Sequence, residues 1–485
     1  MSTPSDLVER REAGLAAFRA VLDRRLLAGD RDADGRTELL LLGEQEFTGE
    51  AMRALYRALA GGAEDDGRMR QLRATPQAES GWGQALRMGL GLLGVRGHYR
   101  PPRLIRPERD IVAFHRCEVS SAYASKRNVT PIVMRYGDWF AQGDRSNDST
   151  CEDLGPDHDV LSEALNAAWR AAAAPASVAM PDMSRFRAIA RRIDFHRAWL
   201  TRQAAFLPKE YWASTMGNPL NRIFARAVQK NGGMVVGFDH GSSSGMWDCD
   251  FQVRIEFPFL SRFVTFGPAM AAGLRANAGA ESIVDIEWVT PDYRAIPQVK
   301  SGRLPAGRTV YFPAAYAGRT YHSPALYDDD RMIEWQWRLL AALKGVGTQT
   351  AIKPHPEGRQ DVSQEFAETL GIDVITGRFE EQDWNDTIAV FDTPETSVFR
   401  SALIAGMPII LFECPRLKMR QSAREMLARR VALVHAWLDD GGLIQTTWNG
   451  LGAAATRAIA LAEDQGIASA YFGARLARSV TKAAA

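Results

Sequence analysis

Short apolar runs alternate with amphipathic stretches along most of the chain, the pattern of strands separated by helices. Residues 5–28 place Val8, Leu15, Phe18, Leu22 and Leu26 at helical spacing. RTELLLLGE (36–44) then reads as a buried strand closed by glycine, and a new helical pattern opens at Thr48. DIVAFHR (110–116) and TPIVMRYG (130–137) are further strand candidates, with a helix-compatible EVSSAYASKRN between them. A long Arg-rich helix is expected over 185–205 and reads as a solvated face. After it come a strand at 209–214, a helix at 218–231, a strand at 234–238, a Gly/Ser-rich loop and a strand at 261–268. The alternation resumes with TVYFPAA, a helix at 328–344, TQTAIKPHP, a helix at 361–370, IDVITG, TIAVFDT, a helix at 396–405 and MPIILFE. Strands that are short and apolar throughout, with helices between them, predict parallel sheets with right-handed crossovers: an α/β fold.

Two stretches break the rhythm. Residues 141–184 combine a polar run, an Ala-rich helix and a second polar run, so an insertion near 141–205 is expected. Residues 289–308 carry three prolines and two glycines with no hydrophobic period, which makes them the linker candidate. The expected division is an N-terminal unit over 1–288, a C-terminal unit over 309–462 and a terminal helical segment over 463–485. A chain of 485 residues is long enough for two such cores.

Composition narrows the function classes. Lys and Arg number 59 against 58 Asp and Glu, a net charge of +1, so no global field draws the chain to nucleic acid or anionic lipid. The four cysteines are scattered and form no CxxC pair, so neither a zinc cluster nor a disulfide framework is indicated. The polar start MSTPSDLVERREAG is unlike a signal peptide, and no apolar run reaches membrane-spanning length. A cytoplasmic protein with at most peripheral membrane contact is expected.

In open α/β sheets ligands bind where strands end and helices begin, and three such loops are unusual. Asp239 and His240 leave an apolar strand and lead into Gly241, Ser242 and Ser243, a hydroxyl-rich loop with a candidate base at its head. Lys353 and His355 lie two residues apart at a strand end, with Pro356 stiffening the exit, and could give two cationic donors to a phosphate. Thr393, Pro394, Glu395, Thr396 and Ser397 open a helix. Thr393 or a neighbour would cap it, with Pro394 at the first helical position, and free N–H groups there form an anion site. The twelve tryptophans read as core and interface residues, with Trp212 and Trp247 lying near these candidate loops.

The order of an HG loop, a KxHP strand end, a Ser/Thr-bearing helix start and then AL-x-x-G-x-P-I-I (402–410) resembles GT-B glycosyltransferases of bacterial surface-polysaccharide assembly. It is most similar to those using CMP-activated acidic sugars: Kdo transferases, polysialyltransferases and related nonulosonic acid transferases. CDP-glycerol glycerophosphotransferases share much of the pattern. The likeness covers about residues 207–415 in order and residues 1–200 by architecture only. The family usually has a glutamate early in the helix at 396–405, and this chain has none.

The resemblance implies two Rossmann-like domains facing a cleft. It implies a nucleotide-sugar donor, with a CMP-sugar favoured, and a glycan, lipid-linked glycan or protein acceptor. His355 and Lys353 would bind the donor phosphate, Thr396 and Ser397 would add hydroxyls, and Asp239 or His240 would face the reacting centre as base or nucleophile. Arg319 is the candidate partner for a sugar carboxylate. A departing monophosphate needs no bridging metal, so neither metal nor cofactor is expected. Phosphoglycerol transfer from CDP-glycerol and a non-catalytic nucleotide-sugar-binding scaffold are the alternatives.

Overall fold

The computed structural model describes residues 105–134, 156–173, 200–216, 219–241, 243–248, 256–280, 282–299, 307–313, 329–346, 349–356, 360–413, 419–439 and 443–474, with isolated positions between 10 and 21 and at 253. Ser242, Arg319, the strand expected at 36–44, the helix expected from Thr48 and most of the helix at 185–205 lie outside the described residues, as does most of 5–28.

The first half contains β1 (Ile111–Ala113), α1 (Glu118–Arg127), β2 (Ile132–Val133), α2 (Pro156–Ala173), β3 (Glu210–Ala213) and α3 (Pro219–Lys230). It continues with β4 (Met234–Phe238), β5 (Arg262–Thr265), α4 (Pro268–Ala278) and β6 (Asp285–Trp288). Among the described residues these strands form one parallel sheet in the order β2-β1-β3-β4-β5-β6.

The second half runs β7 (Arg308–Phe312), α5 (Asp329–Leu343), β8 (Gln349–Ile352), α6 (Gln360–Leu370), β9 (Asp373–Val374) and β10 (Thr387–Phe391). Then come α7 (Ser397–Ala405), β11 (Ile409–Glu413), α8 (Gln421–Arg430), β12 (Ala432–Leu438), β13 (Ile444–Thr446), α9 (Leu451–Leu461) and α10 (Gly466–Phe472). The order β13-β12-β11-β10-β7-β8-β9 is parallel except for the antiparallel β12–β13 pair. Read from β9 to β12, it is the Rossmann strand order with β7 as the first strand.

Alternation along each strand decides which core it fills. In β10, Ile388 and Val390 face one way, with Trp335 and Leu339 of α5, while Ala389 and Phe391 face the other. In β4, Val235 joins the cluster around Phe224 of α3, and Val236 and Phe238 face away from it. The faces carrying Val236, Phe238, Ala389 and Phe391 belong to one continuous cluster that also holds Phe399 of α7, Leu427 of α8 and Phe472 of α10. The central strands β4 and β10 are therefore buried on both sides, which is why they read as unbroken apolar runs. Tight contacts bring α10 onto the first half. A Cβ on Gly267 would lie 2.5 Å from Tyr471 O, and Tyr293 Oη donates to Phe472 O at 2.9 Å.

The stretch 289–308 runs between β6 of the first sheet and β7 of the second, and its described part over 289–299 is packed down: Val299 N–H donates to Ala405 O at 2.8 Å, Gln298 Nε2 donates to Ile404 O, and Ile296 is buried. Trp212 is a core residue, wedged between Tyr123 and Phe238, with its indole N–H donating to Glu210. Among the described residues no helix is long and apolar enough to cross a membrane.

Candidate functional site

Each sheet has a place where crossovers depart in opposite directions and the carboxyl ends of two neighbouring strands open a crevice. In the second sheet this lies between β7 and β10, so the loop Asp392–Thr396 sits at it. Tyr311 Oη donates to the buried Asp392 carboxylate at 2.6 Å, tying the two strand ends together. The helix cap is Thr396, whose hydroxyl accepts from Phe399 N–H at 3.2 Å. Thr393 does not cap α7, because its hydroxyl accepts the N–H of Glu395 and donates to the Glu395 carboxylate, closing a local turn that holds Pro394 outside the helix. Thr393 and Thr396 are buried, Glu395 is half-buried and Ser397 is exposed.

The KPHP strand end differs from the expected pair of phosphate donors. Lys353 is buried and its ammonium donates to the carbonyl of Gly377 beyond β9. Burial lowers its pKa, while Glu380 and Glu381 oppose that change. His355 is half-buried at the strand end and Pro356 is exposed. The turn at Gly377 takes up the lysine, and the half-buried His355 is the more exposed side chain of the two.

In the first sheet the described order puts the crevice between β1 and β3, with β4 alongside. Cys117 caps α1, accepting Ser120 N–H through its sulfur, and its thiol donates to Asp239 O at 3.6 Å. Asp239 is buried at the end of β4. Its carboxylate accepts the Thr265 hydroxyl at 2.7 Å and Gly241 N–H at 3.0 Å. Burial raises its pKa, and Thr265, His240, Ser244 and Gly241 partly counteract it. His240 is exposed at the head of the loop. Ser243 is buried and accepts the Trp247 indole N–H at 3.1 Å.

Sequence reasoning missed Glu256. It is buried, accepts the Thr215 hydroxyl at 3.4 Å and a backbone hydrogen bond from Met216, and so sits against the end of β3. Burial pushes its pKa up to about 7; His240 and Arg222 pull it down, and Asp239 pushes it up. A carboxyl raised in this way is protonated in both folded and unfolded chains below its ordinary 4.5, and ionised in both above about 7. Between those values only the folded chain holds the proton, so stability falls as pH rises through the window. Wild type is expected to lose roughly 2–3 kcal/mol from this group between pH 4.5 and 7. Glu256→Gln should flatten that slope in chemical denaturation run at a series of pH values.

An ion pair joins the two halves beside these strand ends. Arg400 of α7, 3% exposed, donates to the Glu118 carboxylate in the first turn of α1 at 2.6 Å and lies over the Phe266 ring. α1 follows β1 and α7 follows β10, so the ion pair joins the helices that leave the two switch-point strands. A second junction ties the loop after β4 to the second half: Arg420 N–H donates to Met246 O, the Arg420 guanidinium reaches Gly273 O and Asn277, and Asn277 donates to Trp247 O. Arg400 carried no signal in the sequence, standing within an apolar helix pattern. Glu118 carried no signal beyond following a strand.

No family model matches the chain, and no curated protein matches it. Among solved structures it is similar to Anabaena HepE in complex with UDP and glucose, at 14% identity and a TM-score of 0.34, over 60% of this chain and 80% of that one. It is also similar to the lipopolysaccharide outer core galactosyltransferase WaaB in its apo form, at 12% identity and a TM-score of 0.34, over 60% and 78%.

Proposed function

We propose that this chain is a GT-B-type glycosyltransferase that binds a nucleotide-activated sugar at the β7/β10 crevice and transfers the sugar at the β1/β3 crevice. The observation that carries the reading is the Arg400–Glu118 pair at 2.6 Å, which sets the helices of the two switch points against each other. A nucleotide held by the loop Asp392–Thr396 then has its sugar directed toward His240 and Asp239. Backbone N–H groups at the start of α7, the Thr396 and Ser397 hydroxyls and His355 are the groups for the donor phosphate. A CMP-activated acidic sugar is the preferred donor, because a single leaving phosphate suits a KPHP strand end where the Gly377 carbonyl takes Lys353 and His355 is the side chain offered to the phosphate. Arg319, between β7 and α5 in the sequence, is proposed for the sugar carboxylate.

Thermal-shift titration of the full chain with CMP, CDP, UDP and GDP tests the reading, since a bound nucleotide raises Tm by mass action. The panel includes UDP, the nucleotide of the HepE complex. The expected result is a rise with a cytidine nucleotide that shrinks in His355→Ala. A flat response to all four nucleotides sinks the reading, and a rise with UDP alone replaces the CMP donor. Binding is expected to persist in excess EDTA; strict dependence on magnesium or manganese would favour a diphosphate donor bridged by a metal.

A further inference from the structure

We infer that the open side of β6 is a saccharide-binding groove, in which Trp288 stacks on neutral sugar units of the acceptor glycan beyond the unit being modified. The inference rests on the transferase reading for its place in the reaction, and on the groove itself for the binding. β6 is the outermost described strand of the first sheet on that side. A groove of about 580 Å³ lies against it, lined by Ala122 and Lys126 of α1, Arg275 of α4 and the stretch from Asp285 to Thr290. Within it Trp288 is 44% exposed.

The chemistry of the groove selects the ligand. Among the described residues its lining carries two cations, Lys126 and Arg275, and two carboxylates, Asp285 and Glu287, so no charge imbalance singles out a phosphate or a sugar acid. Lys126 lies 3.4 Å from the Glu287 carboxylate, and Arg262 of β5 fixes Asp285 at 2.9 Å and Glu287 at 3.0 Å. Held in place, these groups keep spare capacity, since an ammonium has three donors and a carboxylate about four acceptor sites. A pyranose presents a face of C–H groups and a rim of hydroxyls that donate and accept. The indole gives the face a flat apolar surface, and the paired charges give the rim its partners. A peptide strand fits less well. Asp285 and Val289 give their N–H groups to β5, so the backbone of Ile286 and Trp288 faces outward, and the Arg275 guanidinium already takes the Ile286 carbonyl.

Register ties the groove to the transfer site. Trp288 is the partner of Thr265 across the β5–β6 ladder, and the Thr265 hydroxyl donates to the Asp239 carboxylate at 2.7 Å. Asp239, Thr265 and Trp288 thus stand in line across three neighbouring strands, at the carboxyl edge of the sheet. Two strand spacings, about 10 Å, separate the backbone at Trp288 from that at Asp239. One oligosaccharide can therefore lie on the indole and still present its end to the Asp239–His240 loop.

Fluorine NMR of the full chain labelled with fluorotryptophan tests the groove without any donor. The Trp288 signal is assigned by its loss in Trp288→Phe, and the probes are maltohexaose, cellohexaose and chitohexaose at up to about 10 mM. At least one of them is expected to move the Trp288 signal saturably. Trp437 is the internal control: it is 40% exposed and stacks on His435 in β12, and its signal should stay in place. Affinity, read from saturation transfer to the saccharide, should fall at least about tenfold in Trp288→Ala and about threefold in Lys126→Ala. Both side chains are exposed, so the variants keep their fold, which the remaining fluorine signals verify. A silent Trp288 with all three saccharides, or equal movement of Trp437, overturns the inference. So does movement with an uncharged peptide of alternating threonine and valine in place of the saccharides. If a saccharide binds at Trp288 but neither a CMP- nor a UDP-sugar is consumed in its presence, the groove stands and the transferase reading alone fails. If a donor is consumed while Trp288 stays silent, the transferase reading stands and the groove falls.

Discussion

Gly273→Ala is expected to destabilise the protein by about 3 kcal/mol and to abolish activity, although residue 273 touches no substrate. Gly273 lies in α4, and the loop leaving His240 crosses that helix at this point. A Cβ there would run into the carbonyl oxygen of Gly245 and come within 2.8 Å of its Cα. These are backbone atoms, so no rotamer change relieves the clash. Gly245 cannot step aside cheaply: its φ is +75°, and its own missing Cβ faces the carbonyl of Met270. The same loop end is held by Arg420 and Asn277. Any shift is therefore passed back along the loop to Asp239 and His240. Gly452→Ala in α9 is the control. That position faces open space, and the substitution should be neutral or stabilising by up to about 1 kcal/mol. Denaturant midpoints of the two variants against wild type provide the measurement.

His240→Ala is expected to lower turnover by about 10²–10⁴-fold with nucleotide affinity nearly intact, the usual cost of removing a positioned proton-transfer group. His240 is exposed and the packing beneath it belongs to Asp239, so the fold should survive. Asp239→Asn should also cut turnover, by less, since the amide can still accept Gly241 N–H while the charge beside the imidazole is lost. His355→Ala should fail differently, weakening nucleotide binding as well as turnover. CMP and UDP titration alongside a donor-consumption assay separates these outcomes. Normal turnover in His240→Ala would reduce the loop to a turn, and the base would have to be sought elsewhere.

The parts legible in the sequence were those where burial is complete. β4, β10 and β11 carry apolar residues on both faces, and their runs announce them. β6 and β12 were missed because DIEW and ALVHAWL expose one face and mix charge or histidine into the run. The loop at Asp239–His240 was readable because an Asp-His pair after an apolar strand is rare. Glu256 was not, because RIEFPF looks like any charged residue between apolar neighbours. Its value comes from burial against Thr215, 41 positions away. Lys353 misled for the same reason. Spacing placed it beside His355, and only the fold shows that the Gly377 carbonyl claims it.

The outermost described strands bear on how the protein behaves when crowded. β2 and β9 are two residues long, and β13 is three. β6 is longer, but its Asp285 and Glu287 are engaged by Arg262, with Lys126 also on Glu287. A sheet margin invites another chain to add a strand only where it is long, flat and apolar. Among the described residues these margins are short or charged, so they offer little template for intermolecular β-pairing. Aggregation at high concentration should therefore wait on unfolding and follow the unfolding rate, rather than begin from the folded surface.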